Sequence, residues 1–285
     1  MQIIDAHVHL GNRPYFDEAA ALLGQQNGLA AVDEMFRQNQ VMLAVAMGSG
    51  DPDLSSCLPD LGDMDFWRGS YPPFAAGCVG VSAELLQRKE ANALETYVRA
   101  AACPRTVGFK LYPGYQPYYV SDPIFFPLYD LAAQLDLPVV IHTGDTANHR
   151  GLVKYSHPLT VDEAASAFPS TRFVIAHCGS PWIVDATEVA RKNPNVSIDL
   201  SGLAEGRFTL AHFLDEYRGF ADYLAMWLRC LGDFDRILYG SDWPLVAMED
   251  YIPLIAHIVP QRHHDLVFYQ NALATFPKLN ALRTA

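Results

Sequence analysis

Ile3-Ile4-Asp5-Ala6-His7-Val8-His9 is an apolar, strand-like run that places two imidazoles two residues apart. The period of a strand puts both on one face, where one metal ion can be held by the pair. Three further segments share the design: Val139-Val140-Ile141-His142, Phe173-Val174-Ile175-Ala176-His177 and Ile237-Leu238-Tyr239-Gly240-Ser241-Asp242. Each is an apolar run that ends in a potential metal ligand and then turns. A parallel α/β barrel keeps its chemistry at the C-terminal ends of its strands.

Working outward from these four segments, strand and helix signals alternate along the whole chain. The strands are expected at 2–9, 41–47, 74–81, 106–112, 137–142, 172–177, 196–200 and 236–239. Helical spacers are expected at 30–39, 83–101, 122–135, 160–168, 182–192 and 210–231, with closing helices at 249–258 and 265–276. A Gly-, Pro-, Asp- and Ser-rich loop over 48–73 is long enough to wall a pocket. Eight strands alternating with helices demand a parallel sheet and favour closure into a single-domain (β/α)8 barrel over 1–285. Closure sets the eighth strand beside the first, so Asp242 meets His7 and His9, while His142 and His177 face the same mouth from the opposite arc.

The 285 residues suffice for one large core, and half of them are hydrophobic. Twenty basic against thirty-two acidic residues give a net charge of −12, which repels nucleic acid and anionic membrane surfaces. A small-molecule substrate is the expected partner, and self-association is compatible with the sequence. Cys57, Cys78, Cys103, Cys178 and Cys230 form no Cys-x-x-Cys pair and read as reduced, buried thiols. No secretory leader pattern and no membrane-length apolar run is present, so a cytoplasmic location is expected.

Five elements, in this order, resemble the amidohydrolase superfamily, in its compact amidohydrolase-related branch: Asp5-Ala6-His7-Val8-His9, Gly108-Phe109-Lys110-Leu111-Tyr112-Pro113, Val140-Ile141-His142-Thr143-Gly144, Ala176-His177-Cys178-Gly179 and Tyr239-Gly240-Ser241-Asp242-Trp243-Pro244. The resemblance spans essentially the whole length. It implies that His7, His9, His142 and Asp242 bind a divalent metal, most often zinc, and that Asp242 also shuttles the proton between water and leaving group. Imidazole and carboxylate donors suit zinc, and an open coordination position can hold water acidified to a pKa of about 7.

His177 has two roles under this resemblance: it polarises the substrate as acid or base in one-metal relatives, and binds the second metal in two-metal relatives. Lys110 alternates with Gly108 and Tyr112 and therefore points into the barrel, where an unpaired lysine is costly. It either bridges two metals as a carboxylated lysine or contacts an anionic substrate, so one or two ions remain open. Around the mouth, Tyr112, Tyr115, Tyr118, Tyr119, Trp67, Trp182 and Trp243 offer an aromatic wall. Arg13, Arg150 and Arg207 offer carboxylate clamps, Tyr112, Tyr115 and Arg150 being the substrate contacts expected first.

The expected activity is metal-dependent hydrolysis of a small lactone, cyclic amide or related carbonyl compound, with Asp242, His177 and Lys110 as the catalytic groups. Two alternatives carry the same ligand set: non-oxidative decarboxylation of an aromatic or unsaturated carboxylic acid, and a metal-binding scaffold without catalysis.

Overall fold

A computed structural model describes residues 1–89, 91–232 and 234–283. Its eight strands are β1 (Ile3–Val8), β2 (Val41–Met47), β3 (Ala75–Gly80), β4 (Thr106–Leu111), β5 (Val139–Ile141), β6 (Phe173–Ile175), β7 (Val196–Asp199) and β8 (Ile237–Leu238). They pair in parallel in sequence order, from β1 to β8. The ring is completed where β1 meets the chain after β8: Ala6 N donates to Tyr239 O at 2.9 Å, Asp242 N to His7 O at 2.8 Å, and His9 N to Trp243 O at 2.7 Å. The expected (β/α)8 barrel is therefore the observed one.

Alternation along the strands sorts the core into two layers. Ile4, Ala6, Leu43, Val45, Ala76, Cys78, Val140, Val174 and Leu238 fill the barrel, joined by Phe276 and Leu279 from the C-terminal segment. Ile3, Val8, Ala44, Val79, Phe109, Val139, Phe173, Ile198 and Ile237 face the surrounding helices.

Two breaks in that alternation place functional side chains. In β1, Asp5 pairs with Ala44 but Val8 with Ala46, so three steps of one strand match two of the other. This bulge moves His7 onto the face that Ala6 already occupies and turns Val8 outward, which leaves His7 and His9 together at the mouth. In β4, the register shifts between Thr106 and Gly108. Phe109 and Leu111 consequently join the outer layer, and Lys110 points inward.

Some helices depart from expectation. The span 83–101 divides into Ala83–Gln87, capped by Ser82 Oγ, and Ala91–Ala102. The stretch 265–276 opens as a wide π-type turn over Leu266–Gln270 before the short helix Asn271–Thr275. A helix at Pro14–Leu22, with proline in its first turn, went unpredicted. Among the described residues no helix is long and apolar enough to cross a membrane. All five cysteines are free, but only Cys57, Cys78 and Cys178 are buried, whereas Cys230 is exposed on a helix and Cys103 is half-buried.

Candidate metal centre

The inward residues at the strand ends meet at the floor of a cavity of about 920 Å³ whose lining includes His9, Lys110, His142, His177 and Asp242. Asp242 is its hub. One carboxylate oxygen, Oδ1, lies 3.1 Å from His9 Nε2 and 3.7 Å from His7 Nε2, and the other lies 3.8 Å from His177 Nδ1. Ligand atoms of His7, His177 and Asp242 fall within 4.8 Å of one another, close enough to hold a metal ion. His142 approaches from β5, its Nδ1 3.1 Å from His177 Nε2.

Backbone strain helps to aim two of these groups. His177 (φ 60°) and Asp242 (φ 71°) adopt left-handed conformations that ordinary residues rarely take, at a cost of about 1 kcal/mol or more each. The reward is direction: by simple alternation His177 would follow the inward Ala176 to the outer face. Gly202 (φ +63°) makes room for the result, because a Cβ there would lie 2.7 Å from Asp242 Oδ2 and 3.2 Å from His177 Nδ1.

Asp199, at the end of β7, is a buried carboxylate that the sequence reading missed. Its Oδ2 lies 2.9 Å from His7 Nδ1, while its Oδ1 accepts from His177 N at 2.9 Å, from Ser201 N at 3.1 Å and from the Ser201 hydroxyl. The available signal was a strand-like Val196-Ser197-Ile198 run ending in an acid, the same design as the other four segments. Asp5 plays a comparable bridging part, accepting from His7 N at 3.1 Å and Ser241 N at 2.9 Å across the β1–β8 seam. Burial pushes the Asp5 carboxyl up to about 7, against the hydrogen bonds from Ser241.

The protonation pattern follows from burial and charge. Burial, reinforced by Lys110, depresses His7 to about 3; burial and the neighbouring His177 hold His142 well below the ordinary histidine value; burial also lowers His177. All three imidazoles are therefore neutral near pH 7. Burial opposes ionisation of Asp242, but His177, His9 and His7 outweigh it and keep the carboxylate ionised; for Asp199 burial is likewise outweighed, chiefly by His7. Burial brings Lys110 down to about 8. Its Nζ donates toward His7 Nε2 at 3.4 Å and lies 5.2 Å from the centre of the Tyr112 ring.

A neutral imidazole carries one proton, which locates the bare nitrogens. His7 donates from Nδ1 to the Asp199 carboxylate, so its Nε2 is bare. The Ser201 hydroxyl gives its proton to Asp199 and accepts from His177 Nδ1 at 2.9 Å, leaving His177 Nε2 bare. His142 Nε2 donates to Asp145 O at 2.9 Å, leaving Nδ1 bare. Two nitrogen lone pairs thus face each other, and among the described residues the buried Asp242 Oδ1 receives no well-directed hydrogen bond. Neutral nitrogen and carboxylate oxygen donors that lack protons are the donor set a divalent cation needs.

The cavity wall matches only part of the expected aromatic and basic set. Tyr112, Tyr115 and Tyr118 line it together with Tyr15, Phe16 and Arg13. Tyr115 packs on His142 with ring centres 4.8 Å apart, Phe16 stacks on His9 at 5.1 Å, and the Tyr112 hydroxyl donates to Gly48 O at 2.7 Å. Tyr119 packs at a tilt on Tyr155 and Trp182 on His157, and Trp243 is fully buried with its Nε1 donating to Gln25, so none of them belongs to the wall; Trp67 lines a separate surface groove. Arg207 is held by Glu249 and Asp250. Arg150 lies outside the lining, although Ala147, Asn148 and His149 just before it contribute.

The chain matches the amidohydrolase family model over residues 4–278. No protein with curated annotation shows significant sequence similarity to it. Among solved structures, an uncharacterised TIM-barrel protein of Bordetella bronchiseptica is similar at 19% identity and TM-score 0.69, covering 98% of this chain and 100% of that one. A 2,6-dihydroxybenzoate decarboxylase from Rhizobium is similar at 14% identity and TM-score 0.70, over 98% and 100% of the two chains. A probable 2-pyrone-4,6-dicarboxylic acid hydrolase from Acinetobacter baumannii is similar at 15% identity and TM-score 0.62, over 97% and 100%. These likenesses establish the shared barrel. With the family model covering nearly the entire sequence and the strand-end histidines and aspartate gathered at one mouth, this chain belongs to the amidohydrolase family of enzymes.

Proposed function

We propose that the protein is a metal-dependent hydrolase of a small lactone, cyclic amide or related carbonyl compound. The observation that carries the proposal is the gathering of the His7, His9, His142 and His177 rings around the ionised Asp242 carboxylate at the floor of the cavity. His7, His9, His142 and Asp242 would hold one divalent ion, preferably zinc, and His177 and Lys110 would complete a site for a second. Bound there, the ion supplies Lewis acidity, which acidifies water and polarises a carbonyl.

The protein's own groups do the rest. Asp242, ionised at neutral pH, takes the proton of the attacking water at a carboxylate oxygen and returns it to the leaving group. His177 lines the same cavity, its Nε2 beside His142, and is placed to orient the scissile group. Lys110 presents a donor beside His7 for the oxygen that gains negative charge. Tyr112, Tyr115 and Phe16 give the substrate ring an apolar seat, and Arg13 offers a charge at the rim for a substrate carboxylate. Turnover of a lactone panel before and after chelation, and in Asp242→Asn, tests the reading. Undiminished turnover in both experiments would sink it.

A second reading is non-oxidative decarboxylation, favoured by neighbours described as 5-carboxyvanillate decarboxylase and 2,6-dihydroxybenzoate decarboxylase that align with 97% of the chain. Release of carbon dioxide from an aromatic acid without incorporation of solvent oxygen would favour it over hydrolysis.

A further inference from the structure

We propose that Asp199 and Ser201 are positioning residues that set the proton positions on His7 and His177, so that the Nε2 atom of each is bare. The inference rests on the metal-centre reading only in its consequence for metal affinity. The proton assignment itself belongs to the protein without metal.

The geometry divides the Asp199 carboxylate into two unequal halves. Three donors converge on Oδ1: the His177 and Ser201 amides, at 2.9 and 3.1 Å, and the Ser201 hydroxyl. Among the described residues, His7 Nδ1 alone addresses Oδ2, at 2.9 Å. One side chain on β7 therefore grips the side chain of a β1 histidine and the backbone of the β6 histidine. The second grip falls on the amide of His177, the residue held in a left-handed conformation. Ser201 extends the arrangement, because its proton is committed to Asp199 and its oxygen must accept. His177 Nδ1 lies 2.9 Å from that hydroxyl and 3.3 Å from Ser201 O, and both contacts require the proton on Nδ1. Partners of this kind fix the orientation and proton position of ligating histidines, and their loss typically lowers metal affinity about 10–100-fold.

Asp199→Asn distinguishes this role from simple packing, because it preserves size and shape. The carboxamide oxygen must stay with the three donors at the Oδ1 position, which puts its NH2 against His7 Nδ1. His7 then accepts at Nδ1 and carries its proton on Nε2, the atom that faces Asp242. In metal-free protein, ¹⁵N spectra of the imidazoles should show the His7 proton on Nδ1 in wild type and on Nε2 in Asp199→Asn. Zinc affinity, measured by competition with a chromophoric chelator, should fall about 10–100-fold in the variant.

Ser201→Ala is the second variant. It leaves the Asp199 contact with His7 in place, so the His7 spectrum should be unchanged, while His177 Nδ1 loses the 2.9 Å hydroxyl contact and keeps the longer 3.3 Å contact to the backbone oxygen of residue 201, so that its proton becomes shared with Nε2. A His7 proton that stays on Nδ1 in Asp199→Asn, wild-type zinc affinity in that variant, or an unaltered His177 pattern in Ser201→Ala would overturn the proposal. Failure of wild-type protein to bind zinc, with the spectra as expected, would instead reject the metal-centre reading and leave the positioning role standing.

Discussion

His142 Nδ1 and His177 Nε2 lie 3.1 Å apart with neither nitrogen free to carry the proton between them, since Asp145 O and Ser201 claim the one proton of each ring. Binding of a cation would relieve that opposition, and only in the folded chain. Zinc at about 100-fold excess over its dissociation constant should therefore add about 2.7 kcal/mol of stability. For a chain of this size the melting temperature should rise by about 5 °C or more. Thermal melts of metal-loaded and chelator-treated protein check this, and superimposable melts would count against it.

Gly202→Ala should injure the centre directly, since its Cβ would lie 2.7 Å from Asp242 Oδ2 on a backbone at φ +63°. Gly206 supplies the control: its φ is +82°, but among the described residues nothing lies within 4 Å of a Cβ built there. Both alanine variants should lose about 1 kcal/mol or more from backbone strain. Only Gly202→Ala should also lose metal affinity and activity, by roughly 10-fold or more. Equal losses of affinity in the two variants would show that the contact with Asp242 is unimportant.

Lys110 is fully buried, and burial has brought its amine down to about 8. Among the described residues no carboxylate lies within 4 Å of its Nζ, its neighbours being His7 Nε2 and the Tyr112 ring. Lys110→Met removes a poorly compensated polar group while keeping the volume, so it should leave stability unchanged or raise it by about 1 kcal/mol. Activity should fall sharply. Denaturant melts and turnover measured side by side check the opposed directions.

Asp162 ties two outer helices, accepting from Lys192 Nζ at 2.7 and 2.8 Å and from Asn193 Nδ2 at 2.6 Å. Burial works against ionisation, but these partners hold its carboxyl below the usual range. A depressed folded-state value makes the stabilisation complete above the ordinary carboxylate pKa and lost as the pH falls below it. The site is partly exposed, so the effect should stay under about 1 kcal/mol. Asp162→Asn should narrow its gap from wild type between pH 7 and pH 3, followed by urea melts.

The barrel was legible because its strands are short apolar runs separated by strong helical stretches, and the site because four of those runs end in residues that can bind metal. Less legible were features decided by tertiary geometry. The β1 bulge that turns His7 inward arises from pairing with β2, and the left-handed backbone at His177 and Asp242 is tolerated by these residue types but not dictated by them. Asp199 ends a strand-like run as the other ligands do, but its part as a partner of His7 and His177 comes from tertiary contacts. The division at 83–101 and the wide turn at 266–270 are breaks within otherwise helical composition. Pro14 did mark a helix start, but the helix it opens is apolar on much of its length and lacks a sharp period. Arg13 rather than Arg150 reached the cavity because loop paths, not distance along the chain from a strand end, decide which arginine faces inward.

The most direct test of the central claim is a crystal structure of zinc-loaded protein with anomalous data collected at the zinc edge. One principal zinc peak is expected at the barrel mouth, coordinated by His7, His9, His142 and Asp242, with Asp199 still accepting from His7 Nδ1. Zinc bound elsewhere, or a mouth in which these four residues do not contact the ion, would contradict it.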